Sequence, residues 1–233
     1  LGGEYILKPP TREYPCMPEI EDLTMHLAEL AGIEVATHSL LPLKSGELAY
    51  ITKRFDRHGE QKIAVEDLCQ LSLKSTAQKY RSSSEAVGKI IYQYATITGE
   101  EVLKYFELIL FSFITGNADM HLKNFSLITE DKNNIHLSPS YDLLATRLLI
   151  SAKIDSEELA LPLNGKKNNI RKKDFIVFGQ SMNISPKVID NVFKKMKDTS
   201  EKFESKIAGS FLTEKLQTDF KELIKLRFQQ LGF

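Results

Sequence analysis

Apolar residues recur at helical spacing along most of the chain and alternate only in a few short runs. Tyr5–Lys8 predicts a short strand, stopped by Pro9-Pro10. Ile20, Leu23, Leu27 and Leu30 form a helical stripe, with Gly32 placed to end it. Residues 48–54 alternate in part, and His58-Gly59-Glu60 has the composition of a hairpin turn. From Ser82 the pattern turns helical. Ser82 and Glu85 have capping-box spacing, and Val87, Ile90, Ile91 and Tyr94 follow. The next predicted helix, residues 101–115, starts amphipathic and becomes apolar all round, the mark of a buried element. Gly116 and Asn117 break it. Residues 125–129 and 134–137 read as two short strands joined by the polar turn Glu130-Asp131-Lys132-Asn133-Asn134. Helices are predicted at 173–181, 186–207 and 213–231, with Ser185 as cap ahead of Pro186. Strands early and helices late predict an α+β fold with two lobes. Residues 1–70 form the small β-rich lobe and 71–233 the helical one, with a soft boundary at 65–80.

Composition narrows the function more than the fold. The 233 residues carry 31 basic and 31 acidic side chains, so no global field favours nucleic acid or a membrane as partner. Hydrophobic residues at 42% and charged ones at 27% are ordinary for a globular protein. Two cysteines, Cys16 and Cys69, cannot build a disulfide framework, and a reducing cytoplasm is expected. The most apolar run, residues 108–114, is far shorter than the roughly 20 residues of a membrane span. Leu1-Gly2-Gly3-Glu4 has neither the charge nor the apolar run of a signal peptide, and no initiator methionine. Natural sequence is therefore expected ahead of it.

Candidate chemistry concentrates in Gly116-Asn117-Ala118-Asp119-Met120-His121-Leu122-Lys123-Asn124-Phe125-Ser126, a loop held between a buried helix and a strand. Phosphoryl transfer needs a carboxylate to orient the attacking hydroxyl, cations against developing charge, and oxygen ligands for Mg²⁺. Asp119 can supply the first, Lys123 the second and Asn124 the third. The five-residue step from Asp119 to Asn124 equals that between the catalytic Asp and the metal-binding Asn of protein kinases. After the predicted hairpin, Ser138-Pro139-Ser140-Tyr141-Asp142-Leu143-Leu144 places Asp142 where a second metal ligand would fall. Either aspartate alone would be weak, because Asp and Asn also favour turns. His121 could equally well orient the loop from a packed position.

These two segments resemble the HipA-type serine/threonine kinases of bacterial toxin–antitoxin systems. Tyr5-Ile6-Leu7-Lys8, Met17-Pro18-Glu19-Ile20-Glu21, Arg54-Phe55-Asp56-Arg57 and Val65-Glu66-Asp67-Leu68-Cys69-Gln70-Leu71 support the likeness in family order. The short opening and the Met-His-Leu-Ala helix incline it towards the compact HipT-like branch. The resemblance implies a bilobal protein-kinase-like fold, ATP and Mg²⁺ as cofactors, and transfer to a protein hydroxyl. It implies an aminoacyl-tRNA synthetase as a possible substrate, and an antitoxin and a small accessory chain as partners. It assigns Lys8 to the ATP phosphates, Glu21 to its ion pair, and Glu66-Asp67-Leu68 to the connector that meets adenine. His121 and Tyr141 fall to the nucleotide site, Asn124 and Asp142 to the metal. A flexible Ser- and Gly-containing phosphate loop is expected before Lys8, where only a few residues stand, so the N-lobe is expected to be incomplete.

Other features have simpler readings. Lys166-Lys167 and Arg171-Lys172-Lys173 read as a solvated loop leading into a helix, and Tyr105, Phe106, Phe111 and Phe113 as core. Two alternatives to a kinase stay open: a catalytically silent nucleotide-binding component, and a metal-dependent hydrolase using Asp119 and His121.

Overall fold

The computed structural model describes residues 3–59, 61–131 and 134–233; Leu1, Gly2, the turn residue Glu60, and Lys132 and Asn133 of the second predicted turn lie outside them. Strand β1 (Tyr5–Lys8), helix α1 (Met17–Leu30), β2 (His38–Pro42) and β3 (Leu48–Lys53) come first. The strands form an antiparallel sheet of order β1-β3-β2, with Lys8 opposite Tyr50 and His38 opposite Thr52. No periodicity announces β2. Its five residues carry no clean alternation, and pairing with β3 makes them a strand. Helix α1 begins at Met17, with Pro18 in its first turn, and buries Ile20, Leu23, Met25, Leu27 and Ala28. Leu30, the last position of the predicted stripe, remains exposed. Buried with the apolar set are Glu21 and Asp22, two carboxylates that need partners.

A two-stranded hairpin follows, β4 (Arg57–His58) with β5 (Gln61–Lys62), then β6 (Ala64–Asp67) and the single turn α2 (Leu68–Leu71). Asp67 caps that turn by accepting from Gln70 N at 2.8 Å, and the Gln70 amide oxygen accepts from Asp67 N at 2.9 Å. Strand β6 joins a different sheet from β1–β3. It pairs antiparallel with β7 (Ser126–Asp131), which pairs with β8 (Asn134–Leu137). The chain before residue 70 is thus stitched to the hairpin that follows the Asp119 loop.

Between them lie α3 (Ser84–Tyr94) and α4 (Thr98–Thr115). The cap of α3 is Ser83, accepting from Ala86 N at 3.2 Å, where Ser82 was expected. Glu85 does not close a capping box; it accepts from Asn164 N at 2.7 Å. Helix α4 is the core. Tyr105, Phe106, Phe111 and Phe113 are completely buried, and α5 (Lys172–Ser181), α6 (Pro186–Ala208) and α7 (Glu214–Gln230) complete the helical part around it. Phe106 stacks on Phe178 at 5.7 Å and meets Phe175 and Phe193 edge-on. Each such pair adds about 0.5–1.5 kcal/mol beyond area burial. Ser185 caps α6 as expected, accepting from Val188 N. Two residues of the basic run are paired locally, Lys166 with Asp174 and Lys167 with Glu157.

Helix α4 ends at Gly116, whose φ of +72° is left-handed and whose missing side chain admits Leu223 and Arg147. A Cβ there would lie 2.7 Å from Leu223 Cδ2 and 2.9 Å from Arg147 Cβ. Gly116→Ala is therefore expected to destabilise the fold by about 2 kcal/mol or more, from left-handed strain plus overpacking. Urea denaturation of the two proteins measures this, and equal midpoints would contradict it.

Candidate functional site

The loop leaving Gly116 is held mainly by its own backbone. Asn117 N donates to Ser112 O at 2.8 Å, and Asn117 Oδ1 accepts from Asp119 N at 3.2 Å. Thr146 Oγ1 accepts from Ala118 N at 2.9 Å. His121 N donates to Asp119 O, and Leu122 N to Lys79 O. A 3₁₀ turn, Leu122–Asn124, then delivers the chain to β7. Asp119 emerges exposed, beside a cavity of about 260 Å³ lined in part by Tyr14, Thr146 and Arg147. Its Oδ1 accepts from the Tyr80 hydroxyl at 2.7 Å. Tyr80 also meets the His121 ring edge-on at 5.1 Å. Burial holds the His121 imidazole below its ordinary pKa, against the pull of Asp119, and its Nδ1 has no hydrogen-bond partner among the described residues.

A second cluster forms where a strand, a helix, a 3₁₀ turn and a loop meet. Lys8, at the end of β1, bonds Glu21 of α1 at 2.7 Å and also bonds Asp142 Oδ1. Asn124 Nδ2 donates to Asp142 Oδ2 at 2.7 Å, while its Oδ1 accepts from His121 N at 3.2 Å. Asp142 has φ +58°, a left-handed backbone that Asp tolerates better than most residues. Its segment is pinned under the α1–β2 connection, since Ala36 N donates to Ser140 O and Ser140 N to Glu34 O. Burial would lower Lys8, but its two carboxylates outweigh it and raise the ammonium above its ordinary pKa. Burial would likewise raise Asp142, but Lys8 and Asn124 hold it below the usual carboxylate value. At Glu21 burial wins over Lys8 and pushes the carboxyl up to about 7.

Lys8, Glu21, Asp67, Lys123, Tyr141 and Asp142 line one cleft of about 530 Å³, a volume in the range of small-molecule sites. Ile6, Ala36, Phe55 and Val65 give it apolar wall. Lys123 Nζ bonds Asp67 Oδ2 at 2.5 Å, which ties the loop to β6. Tyr141 donates to Lys123 O at 2.7 Å, shares a hydrogen bond with Ser126, and packs on Phe55 with ring centres 5.4 Å apart. Strand β6 lies at the edge of its sheet, so one side of its backbone has no strand partner among the described residues. Glu66 is exposed and Leu68 fully buried; neither side chain lines the cleft. Asp119 and His121 are also outside its lining, and Asn124 reaches it through Asp142. Tyr80 was not singled out in the sequence. A lone tyrosine 39 residues before Asp119 offers no local signal of the contact.

The family model described as HipA-like C-terminal domain matches residues 1–203. The chain belongs to that family. Relatives include "Putative kinase Y4dM" of Sinorhizobium fredii (strain NBRC 101917 / NGR234), 32% identical over 216 residues, 88% of this chain and 51% of that protein. A "Putative kinase" of Haemophilus influenzae (strain ATCC 51907 / DSM 11121 / KW20 / Rd) is 27% identical over 237 residues, 90% of this chain and 69% of that one. The chain thus spans about half the length of Y4dM. Among solved structures, HipA in a Shewanella oneidensis MR-1 HipA–HipB–operator DNA complex matches with TM-score 0.83 and 19% identity. That match covers 99% of this chain and 59% of HipA. The Helicobacter pylori proinflammatory kinase CtkA matches with TM-score 0.70 and 16% identity, covering 99% and 89%. The expected α+β architecture is thereby shown. Among the described residues of this HipA-like domain, no helix is long and apolar enough to cross a membrane.

The raised Glu21 carboxyl links stability to pH. Between its ordinary value of 4.5 and about 7, the folded chain keeps a proton that the unfolded chain has released. The stability this contributes is complete below about pH 4.5 and is lost as pH rises through about 7. Glu21→Gln should remove a slope of at most about 1.4 kcal/mol per pH unit from that window. Urea unfolding at several pH values reads the slope, and the same slope in the variant would assign it to another group.

Proposed function

We propose that this HipA-like domain is an ATP- and Mg²⁺-dependent kinase that transfers the γ-phosphate to a serine or threonine hydroxyl of a protein. The observation that carries this reading is the bonded set Lys8, Glu21 and Asp142 in one cleft, with Asn124 joined to it through Asp142. A strand lysine, a helix glutamate, a post-hairpin aspartate and a loop asparagine are the parts that phosphoryl transfer from ATP requires. The cleft suits the nucleotide: its lining combines the Lys8 and Lys123 ammonium groups with apolar wall, and the connector Glu66-Asp67-Leu68, where the edge strand β6 passes into α2, is the place for adenine. The donor set also suits the metal, because carboxylate and amide oxygens are the hard ligands Mg²⁺ prefers. Asp142 and Asn124 would hold Mg²⁺, which when bound neutralises charge on the phosphates.

The remaining work falls to the chain's own residues. Lys8 binds phosphate oxygens, and Glu21 keeps its ammonium at the cleft. Asp119 accepts the proton of the acceptor hydroxyl, with Tyr80 fixing which oxygen faces outwards. His121 packs under the loop and Tyr141 braces Lys123 from below. Lys123 balances charge on the phosphoryl group in transit, and its bond to Asp67 keeps it within the cleft. We place the lobe boundary near residue 70, where α2 follows β6.

The wider biology rests on likeness. The HipA relative is crystallised with HipB and operator DNA, and this supports an antitoxin as partner here, with contact to DNA through that partner. A toxin role of the compact HipT type, a small accessory chain and an aminoacyl-tRNA synthetase as substrate belong to the same proposal. Against the hydrolase alternative, the described residues place no third His, Cys, Asp or Glu ligand with Asp119 and His121.

Incubation with γ-labelled ATP, Mg²⁺ and a bacterial lysate should label protein. Asp119→Asn should lower transfer about 10²–10⁴-fold while nucleotide binding persists. Asp142→Ala should weaken nucleotide binding more with Mg²⁺ present than without. Bound but intact nucleotide would favour the silent component, and free phosphate alone the hydrolase.

A further inference from the structure

Away from the cleft, two histidines and two carboxylates meet between α1 and β2. Asp22, His26 and Glu29 project from α1 at helical spacing, and His38 reaches them from β2. Asp22 Oδ1 lies 3.0 Å from His38 Nδ1, and Asp22 Oδ2 lies 3.7 Å from His26 Nε2. One ligand atom from each of the three residues fits within a span of 4.8 Å. Glu29 backs both rings, 2.8 Å from His26 Nδ1 and 3.8 Å from His38 Nε2. Among the described residues, the ion-pair partners of Asp22 and Glu29 are these histidines alone, with no Lys or Arg.

We propose that Asp22, His26 and His38 form a binding site for a divalent transition-metal ion, Zn²⁺ foremost, with Glu29 orienting the two imidazoles. Two imidazoles and a carboxylate suit borderline cations such as Zn²⁺, Co²⁺ or Ni²⁺ better than the all-oxygen preference of Mg²⁺ or Ca²⁺. Zinc–ligand bonds of about 2.0–2.2 Å put tetrahedral ligand atoms about 3.4 Å apart. His38 Nδ1 and His26 Nε2 lie 3.0 and 3.7 Å from the two oxygens of Asp22, so the 4.8 Å span of the three ligand atoms needs only a modest contraction around an ion. A carboxylate on the outer nitrogen of a ligating histidine is the usual arrangement behind a metal site. Glu29 stands there for His26.

His38 supplies a second, separate observation. Its side chain is 1% exposed, and its Nε2 has no hydrogen-bond partner among the described residues. If hydrogen bonding alone explained the cluster, Nδ1–H would donate to Asp22, and Nε2 would be left unsatisfied either as a bare lone pair or, in the imidazolium, as an N–H that Glu29 at 3.8 Å does not accept. Buried polar atoms are rarely left so. A cation on Nδ1 moves the ring proton to Nε2, where Glu29 is the nearby acceptor. Tyr50 stacks on the same ring at 5.8 Å and fixes its plane. The ion would pin α1 to β2 one residue from Glu21, yet the site would exist whether or not the chain transfers phosphate.

The test uses the protein stripped with EDTA and titrated with Zn²⁺ alone, read by calorimetry and by the visible absorption of Co²⁺ in its place. One equivalent should bind saturably and raise the unfolding temperature. His26→Ala and Asp22→Asn should each weaken binding by at least about tenfold, and His136→Ala, outside the cluster, should leave it unchanged. Absence of a saturable equivalent, or undiminished binding in His26→Ala, would overturn the site. His26 is half-buried, so its variant decides the matter even if Asp22→Asn fails to fold.

Discussion

Helix α4 is the constraint on which the rest depends. It is apolar on every side over its last two turns, so it must be surrounded. The chain satisfies that by packing α3, α5, α6 and α7 with it and closing Phe175, Phe178 and Phe193 on Phe106. A helix so fixed presents its C-terminus at one place and in one direction. Gly116 turns the chain there, and Asp119 and Asn124 follow within eight residues on a loop whose backbone groups bond to α4, Lys79 and Thr146. Asp119 and Asn124 stand on an irregular segment, but its two ends are anchored in the core helix and in strand β7.

The Lys8 cluster then joins what the topology leaves apart. Residues 8, 21, 124 and 142 arrive from a strand, a helix, a 3₁₀ turn and a loop, and their charges compensate one another. A carboxylate as deeply buried as Glu21 would be costly without Lys8, and Asp142 would not be held below its ordinary pKa without two donors. Every member of this set is an acid, a cation or an amide that phosphate and metal could compete for, and the cluster faces an open cleft. The left-handed backbone at Asp142 fits the same picture, since strain of that kind persists where surrounding structure enforces it.

The edge of this arrangement was harder to foresee. Strand β2 has no alternating signature, yet it carries His38 to the α1 cluster. The sequence pattern announces no strand between residues 54 and 125, yet residues 64–67 form β6 and pair with β7, which follows α3 and α4 in the chain. Ser83 rather than Ser82 caps α3, because the cap is decided by which hydroxyl reaches Ala86 N once the backbone is placed. Both serines fit the composition rule, and only geometry separates them.

What the sequence by itself determined are the features carried by local chemistry. The buried helix 101–115, the capped helix after Ser185, and the step from Asp119 to Asn124 with Asp142 beyond a hairpin were all legible, since periodicity, capping and spacing act over a few residues. The tertiary structure alone decided the long-range contacts. It set Tyr80 on Asp119, turned Lys123 towards Asp67, buried Leu68, and brought His38 to Asp22 and His26. The physical reason is that each contact joins residues that no local periodicity relates. Sheet register and helix packing choose such partners by burying surface and pairing charge across the whole chain, and a short stretch of sequence carries no record of that choice.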